Sequence, residues 1–212
     1  MADNYLEKRY EEVFGQGAGR KHAPQRPSLD TLLLHNRSYR GFDRDYVVHR
    51  RQLDAMIAVN TKVASSVNMQ RLRFRPVVKG PEADAVNKYI RMGRGLPHLQ
   101  LPFPGREPEA FIVICSIAAE NPGIDIDLGI SVQSMLLKAV EMGLGGLIIR
   151  NFDPAALKEA LELPLDPVAV VAVGKPAETI ELVTVREGES LKYYRKDGVH
   201  YVPKLPAEDL II

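Results

Sequence analysis

The sequence predicts a three-layered α/β or α+β fold whose sheet is buried on both faces. Three observations carry that expectation. Phe111–Ile117 is a continuous apolar run, Val168–Val173 is a second, and stretches with helical spacing alternate with such runs through the middle of the chain. A strand without polar alternation must be covered on both sides.

Residues 1–27 form an N-terminal arm in two parts. Tyr5, Leu6, Tyr10, Val13 and Phe14 have helical spacing, and residues 15–27 are rich in Gly, Pro and basic side chains, as linkers are. The arm is equally compatible with a mobile extension and with a helix docked on a partner subunit. Residues 28–212 form one domain, with a C-terminal extension from about residue 190. Ser28 is an N-cap for a helix to about Asn36. A second helix is expected from Arg50 to Val63, with Leu53, Met56, Ile57 and Asn60 on one face. Residues 71–78 alternate as Arg71-Leu72-Arg73-Phe74-Arg75, the pattern of a half-buried strand. Pro81 and Glu82 open a short helix carrying Val86, Tyr89 and Ile90. Residues 94–108 hold three Gly or Pro clusters and read as a long surface loop, able to cap a pocket.

Asp127–Met142 is apolar on nearly every side, a buried helix with Gly143 at its C′ position. Leu147–Ile149 is a short strand. Asp153-Pro154 opens a helix to about Leu161. The strand Val168–Val173 is expected to end at Gly174, and residues 180–186 offer one more strand. Asp197-Gly198 is a turn. Periodicity gives no strand order.

Lys plus Arg number 28 and Asp plus Glu 27, so no whole-protein field draws in nucleic acid or an anionic membrane. Any anion site must be local. The one cysteine, Cys115, lies inside an apolar run, where a thiol acts as a small core hydrophobe. The first residues lack the apolar core of a signal peptide, and no stretch reaches the ~18 apolar residues of a spanning helix. A reducing, cytoplasmic setting is expected.

Several chemistries find no motif. No G-x-G-x-x-G joins a strand to a helix; Gly143-Leu144-Gly145-Gly146 follows a helix and leads into a strand. There is no P-loop and no G-x-S-x-G elbow. The five histidines are scattered without metal-ligand spacing, so no metal is expected. A chain without an acid, base, nucleophile or metal constellation suits chemistry carried by an organic cofactor.

Three blocks fit that idea. Asn36-Arg37-Ser38-Tyr39-Arg40-Gly41-Phe42 packs two guanidiniums and a hydroxyl into four residues, and Arg matches phosphate geometry. By itself it reads rather as a solvated basic turn. Ala64-Ser65-Ser66-Val67-Asn68-Met69-Gln70 offers hydroxyls and amides, donors and acceptors together, ahead of a strand. The third block is the helix Asp127–Met142, its glycine-rich break and the strand that follows.

In this order the blocks resemble the nitroreductase family of FMN enzymes. The first is similar to R-[RS]-S-x-R-x-F and the second to [AP]-S-S-x-N-x-Q-P-W-x-F. The third, with Asp127, Gly129, Gln133, Leu137, Ala139, Gly143, Leu144 and Gly145, is similar to D-x-G-x-A-x-Q-x-x-x-L-x-A-x-x-x-G-L-G. Gly198-Val199-His200-Tyr201-Val202-Pro203-Lys204 resembles the G-x-H-x-V-P-K-R of one branch. The chain departs from the pattern at Arg71-Leu72, where Pro-Trp is usual, and at Leu205, where Arg is usual.

The resemblance implies an α+β, three-layer fold with a central mixed sheet flanked by helices, and an intertwined homodimer with FMN at the subunit interface. It implies that Arg37, Ser38, Arg40 and Lys204 bind the phosphate. Ser65, Ser66 and Asn68 would line the flavin, in part from the other subunit, and Gln70 would meet the ring edge. Gly145 and Gly146 would pass close to the ring. No side chain need be a catalytic acid or base, since flavin N5 carries the chemistry. NADH or NADPH would give a hydride to N5, and a nitroaromatic, quinone or enone would take it in a ping-pong cycle. The departure at Arg71-Leu72 motivates an alternative: a flavin chaperone, sensor or flavin-utilising protein without nicotinamide turnover.

Overall fold

The computed structural model describes residues 27–93, 95–96 and 99–212. Apart from its last residue, the expected N-terminal arm lies outside the described residues. Ser28 caps α1 (Leu29–His35), its Oγ accepting from the Thr31 N–H at 3.2 Å. A short strand, β1 (Phe42–Asp43), follows. Helix α2 (Arg50–Ile57) stops short of Val63 and tightens into a 3-10 turn over Ala58–Thr61. The cause is local. Asn60 Nδ2 donates to the Ile57 carbonyl and Thr61 Oγ1 to that of Ala58, side chains competing for carbonyls at the helix end.

Strand β2 (Leu72–Val77) and helix α3 (Pro81–Tyr89) appear as the alternation and the Pro81 start predict. After β3 (Ala110–Ser116), helix α4 (Pro122–Glu141) begins well before Asp127. Asn121 Oδ1 accepts from the Gly123 and Ile124 N–H groups, and Pro122 occupies the first turn, where its missing N–H does no harm. Gly143 (φ +71) ends that helix as expected. Strand β4 (Gly145–Ile149) precedes α5 (Pro154–Ala160), which Asp153 caps.

Strand β5 (Asp166–Pro176) runs through Gly174 instead of ending there. A Cβ at Gly174 would fall 2.6 Å from the Phe42 ring, so this glycine makes room for packing and does not punctuate the chain. Strand β6 (Thr179–Thr184) is followed by the hairpin β7 (Tyr194–Lys196) and β8 (Val199–Lys204). Asp197 and Gly198, with φ +50 and +80, form its two-residue turn.

The central sheet is antiparallel throughout. β4 and β3 both pair with Val170–Val173 of β5 and so lie on its opposite edges. β2 lies outside β3, and β1 pairs with the end of β5. The mixed pairing lies in a second sheet, where β8 is parallel to β6 and antiparallel to β7. Alternation along the strands divides the core. Ala110, Ile112, Ile114, Ala169 and Val171 face α2 and α4; Phe111, Val113, Cys115, Val170 and Ala172 face α3 and α5. This is the expected three-layer α+β arrangement. Burial pushes the Cys115 thiol up to about 11, which suits its role as a core hydrophobe. No described helix is long and apolar enough to cross a membrane.

Candidate functional site

The turn between α1 and β1 carries Arg37, Ser38 and Arg40. It is fixed from three sides. Ser38 bridges to Gly146, and the Tyr39 N–H donates to the Gly146 carbonyl at 3.2 Å. Tyr39 Oη donates to the His35 carbonyl at 3.1 Å. The Arg40 and Gly41 N–H groups both donate to the Glu178 carboxylate, whose side chain is 3% exposed and forms an ion pair with Arg195. A buried carboxylate with such partners holds the backbone and leaves the arginine side chains free to point elsewhere.

Those side chains converge. Arg37, Ser38, Arg40 and Lys204 line one cavity of about 330 Å³, together with Gln133, Tyr193 and His200. One guanidinium nitrogen of Arg37 donates to the Leu33 carbonyl, and Arg40 Nη1 donates to the Ser38 carbonyl at 3.0 Å. The Arg40 guanidinium also lies 5.3 Å from the Tyr193 ring centroid. Yet Nε of both arginines is buried and meets no partner. Burial draws the Arg37 pKa below its ordinary value, with Tyr39 opposing, so its charge is poorly solvated where it sits. Three cations and no carboxylate line this cavity. Two buried, unpartnered donors beside a lysine fit a phosphomonoester.

The sequence assigned no site role to Tyr193, Gln133 or His200, although the last two fall within the blocks that carry the resemblance. For His200 the signal is present: His200, Val202 and Lys204 sit at i, i+2 and i+4 of β8, and all three line the cavity. Burial, then Arg40 and Arg195, push the His200 pKa down to about 4, so its imidazole is neutral. Two described residues of the 94–108 segment, Gly95 and Phe103, contact residues near this cavity. The Gly95 N–H donates to Tyr193 Oη at 3.1 Å, and the Arg195 guanidinium lies 4.6 Å from the Phe103 ring centroid.

Ser65, Ser66, Asn68 and Gln70 are brought together, but not with Arg37. They form a 3-10 turn (Ser66–Asn68) and its flanks. Val67, Asn68 and Gln70 have φ of +51, +53 and +45, uncommon for residues with a Cβ and typical of sites under constraint. The Ser66 N–H donates to Asp127 Oδ1 at 2.5 Å, which ties the turn to α4. Gln70 Nε2 donates to Asn68 Oδ1 at 3.3 Å. Ser65 and Gln70 line a second cavity, of about 350 Å³, with Arg71, Phe74, Asp127 and Ser131. Asp127 at this cavity and Gln133 at the first are six residues apart on α4, about 9 Å along its axis. Within one chain these are two separate cavities.

Gly145 and Gly146 both sit where the chain packs too closely for a side chain. A Cβ at Gly145 would lie 2.5 Å from the Tyr39 ring, and one at Gly146 would lie 2.1 Å from the Ala172 carbonyl oxygen. Their close approach is to the chain's own Tyr39 and β5. No group of three His, Cys, Asp or Glu able to hold a metal occurs among the described residues.

The nitroreductase family model matches residues 95–175. A nitroreductase family protein from Streptococcus pneumoniae TIGR4 superposes with a TM-score of 0.62 at 17% identity, covering 87% of this chain and 99% of that one. A nitroreductase family protein from Clostridium novyi NT gives 0.57 at 20% identity, covering 71% and 87%. The FMN- and NADPH-dependent nitroreductase NfnB from Sphigopyxis sp. strain HMH gives 0.57 at 19% identity, covering 71% and 89%. No curated protein matches the chain in sequence. The resemblance carried by the sequence blocks thus extends to a family-model match and to the three-dimensional fold.

Proposed function

We propose that this chain binds FMN as a homodimer and works as an oxidoreductase that oxidises NADH or NADPH and reduces an electron-poor small molecule of the nitroaromatic, quinone or enone class. The observation that carries the reading is the cavity of Arg37, Ser38, Arg40 and Lys204, with two buried guanidinium nitrogens that the chain itself leaves unpartnered. Together with a nitroreductase-like fold, a phosphate-shaped demand at this position favours FMN over an unphosphorylated flavin. When bound, FMN would supply hydride transfer between nicotinamide and acceptor.

The chain's own residues have separate duties. Arg37, Arg40 and Lys204 neutralise the phosphate, and Ser38 offers its hydroxyl. Glu178 positions the turn without entering the cavity. Ser65, Ser66, Asn68 and Gln70 supply hydroxyls and amides for the polar edge of the flavin, and we assign them to the FMN of the second copy. Of these, Ser65 and Gln70 line the second cavity, and none lines the first. Residues 28–212 form the FMN-binding domain, with 1–27 as an arm, and the lone buried Cys115 suits a reducing compartment.

The test is direct. The purified protein, after incubation with FMN and gel filtration, should retain a flavin absorption band, and NADH or NADPH should bleach it anaerobically. A panel of nitroaromatics, quinones and enones should then restore it. Protein that stays colourless would sink the reading. Flavin that is retained but bleached by neither nicotinamide would instead favour a flavin carrier or sensor, the reading that Arg71 and Leu72 in the second cavity support.

A further inference from the structure

We infer that His200 is a further ligand of the phosphate, its Nδ1–H donating to a phosphate oxygen beside Arg37, Arg40 and Lys204. The inference rests on the FMN reading and adds to it a recognition element from the C-terminal sheet.

Four observations support it. His200 lines the cavity, and its Nδ1 is buried without a hydrogen-bond partner. Buried polar atoms are rarely left unpaired, and an orphan beside a cavity points to a ligand. The ring cannot easily turn away. It meets Tyr193 edge-on with centroids 5.3 Å apart, and its residue is held in register with Ile180 on β6 and Arg195 on β7. Finally, its neighbours decide what the missing partner is. Arg40 and Arg195 both act on His200, Lys204 lines the same cavity, no carboxylate lines it, and Glu178 is already paired with Arg195. A cationic partner is therefore disfavoured, and an anion is favoured.

Burial and the two arginines hold the ring neutral, so it has one N–H to place. An anion at Nδ1 selects the tautomer with the proton there. The imidazole then adds a directed donor from a ring that, in the unliganded chain, does not add a fourth charge to a site that already holds three. The period-two face of β8 delivers this donor and Lys204 together, so the C-terminal sheet reads the phosphate as a unit.

FMN and riboflavin differ only in the phosphate, and this separates the possibilities. Affinities of both flavins are measured by fluorescence quenching for the full chain, His200→Phe and His200→Asn. Wild type should prefer FMN strongly. His200→Phe should lose on the order of tenfold in FMN affinity with riboflavin unchanged. His200→Asn, whose amide nitrogen can stand near the Nδ1 position, should recover part of the loss. An FMN-to-riboflavin ratio in His200→Phe equal to wild type overturns the assignment of His200 and leaves the phosphate site intact. A wild type that does not distinguish the two flavins overturns the phosphate reading itself. If His200→Phe fails to fold, imidazole ¹⁵N spectra of wild type decide. FMN should shift the His200 signals to the Nδ1–H form, and signals unmoved at saturation refute the contact.

Discussion

Arg37 and Arg40 each spend one guanidinium contact on the chain and keep a buried Nε in reserve. Replacing both by Ala should therefore weaken FMN binding by a factor of roughly 10² to 10⁴, since hydrogen bonds to charged groups are worth about 1.5–3 kcal/mol each. Riboflavin titrations should change little; equal losses for both flavins would place the arginines in the fold and not at the phosphate. His200 makes a separate prediction, for the unliganded protein. Its folded pKa, about 4, lies below the ordinary value of 6.5, so in acid the unfolded chain binds the extra proton. The stabilisation is complete above pH 6.5 and is lost as pH falls through about 4. The gap corresponds to something on the order of 3 kcal/mol. Thermal melts between pH 4 and 7 should fall steeply in wild type and less steeply in His200→Asn. Parallel curves would show that another group governs acid stability. At this scale the sequence was informative where charge itself is the signal. The Arg37–Arg40 turn and Lys204 could be seen as cations. For His200 the alternation of β8 gives the shared face with Lys204, but its burial and neutral ring are not revealed by residue type.

The glycines separate two uses of one residue. Gly146 sits in β4 with its missing Cβ only 2.1 Å from the Ala172 carbonyl oxygen, and Ala172 is locked in the β4–β5 ladder. Backbone in a central strand cannot give way as a flexible side chain can. Gly146→Ala should lose about 3 kcal/mol or more, through overpacking and broken pairing. Gly143 meets nothing closer than Lys175 Nζ at 3.8 Å, and only its φ of +71 resists a side chain. Gly143→Ala should lose about 1 kcal/mol. Urea unfolding of the two variants checks the contrast, and equal losses would contradict it. The same contrast shows what was legible in the elements. Helix boundaries marked by a cap and proline, as at Ser28 and Asp153-Pro154, could be read directly. Gly174 misled, because a glycine kept for Phe42 looks the same in sequence as a glycine that ends a strand. The antiparallel order around β5 was not legible, since alternation records which face is buried and not which strand is the neighbour.

On the whole molecule, several apolar side chains left in solvent lie close in sequence to residues that line the two cavities. Val67 is 86% exposed and Ile126 61%, and the Ser66 to Asp127 hydrogen bond sets their segments side by side at the start of α4. Met69, two residues beyond Val67, is also exposed, as are Leu29, Leu33 and Leu34 on α1, just before the arginine turn. A continuous apolar surface is a candidate interface, and an isologous dimer uses the same patch twice. Symmetry then offers what one chain lacks: the Ser65–Gln70 turn of one copy beside the Arg37–Lys204 cavity of the other. The protein should run as a dimer by light scattering. Ile126→Asp places a charge in the patch without touching either cavity lining, so it should yield a folded monomer by circular dichroism. That monomer should bind FMN at least tenfold more weakly, because it keeps the phosphate cavity and loses the polar turn that would face the flavin. Inorganic phosphate, which needs only the cavity, should bind the monomer as well as it binds wild type. A monomeric variant with undiminished FMN affinity would place the whole flavin site within one chain, and the second cavity would then need another ligand.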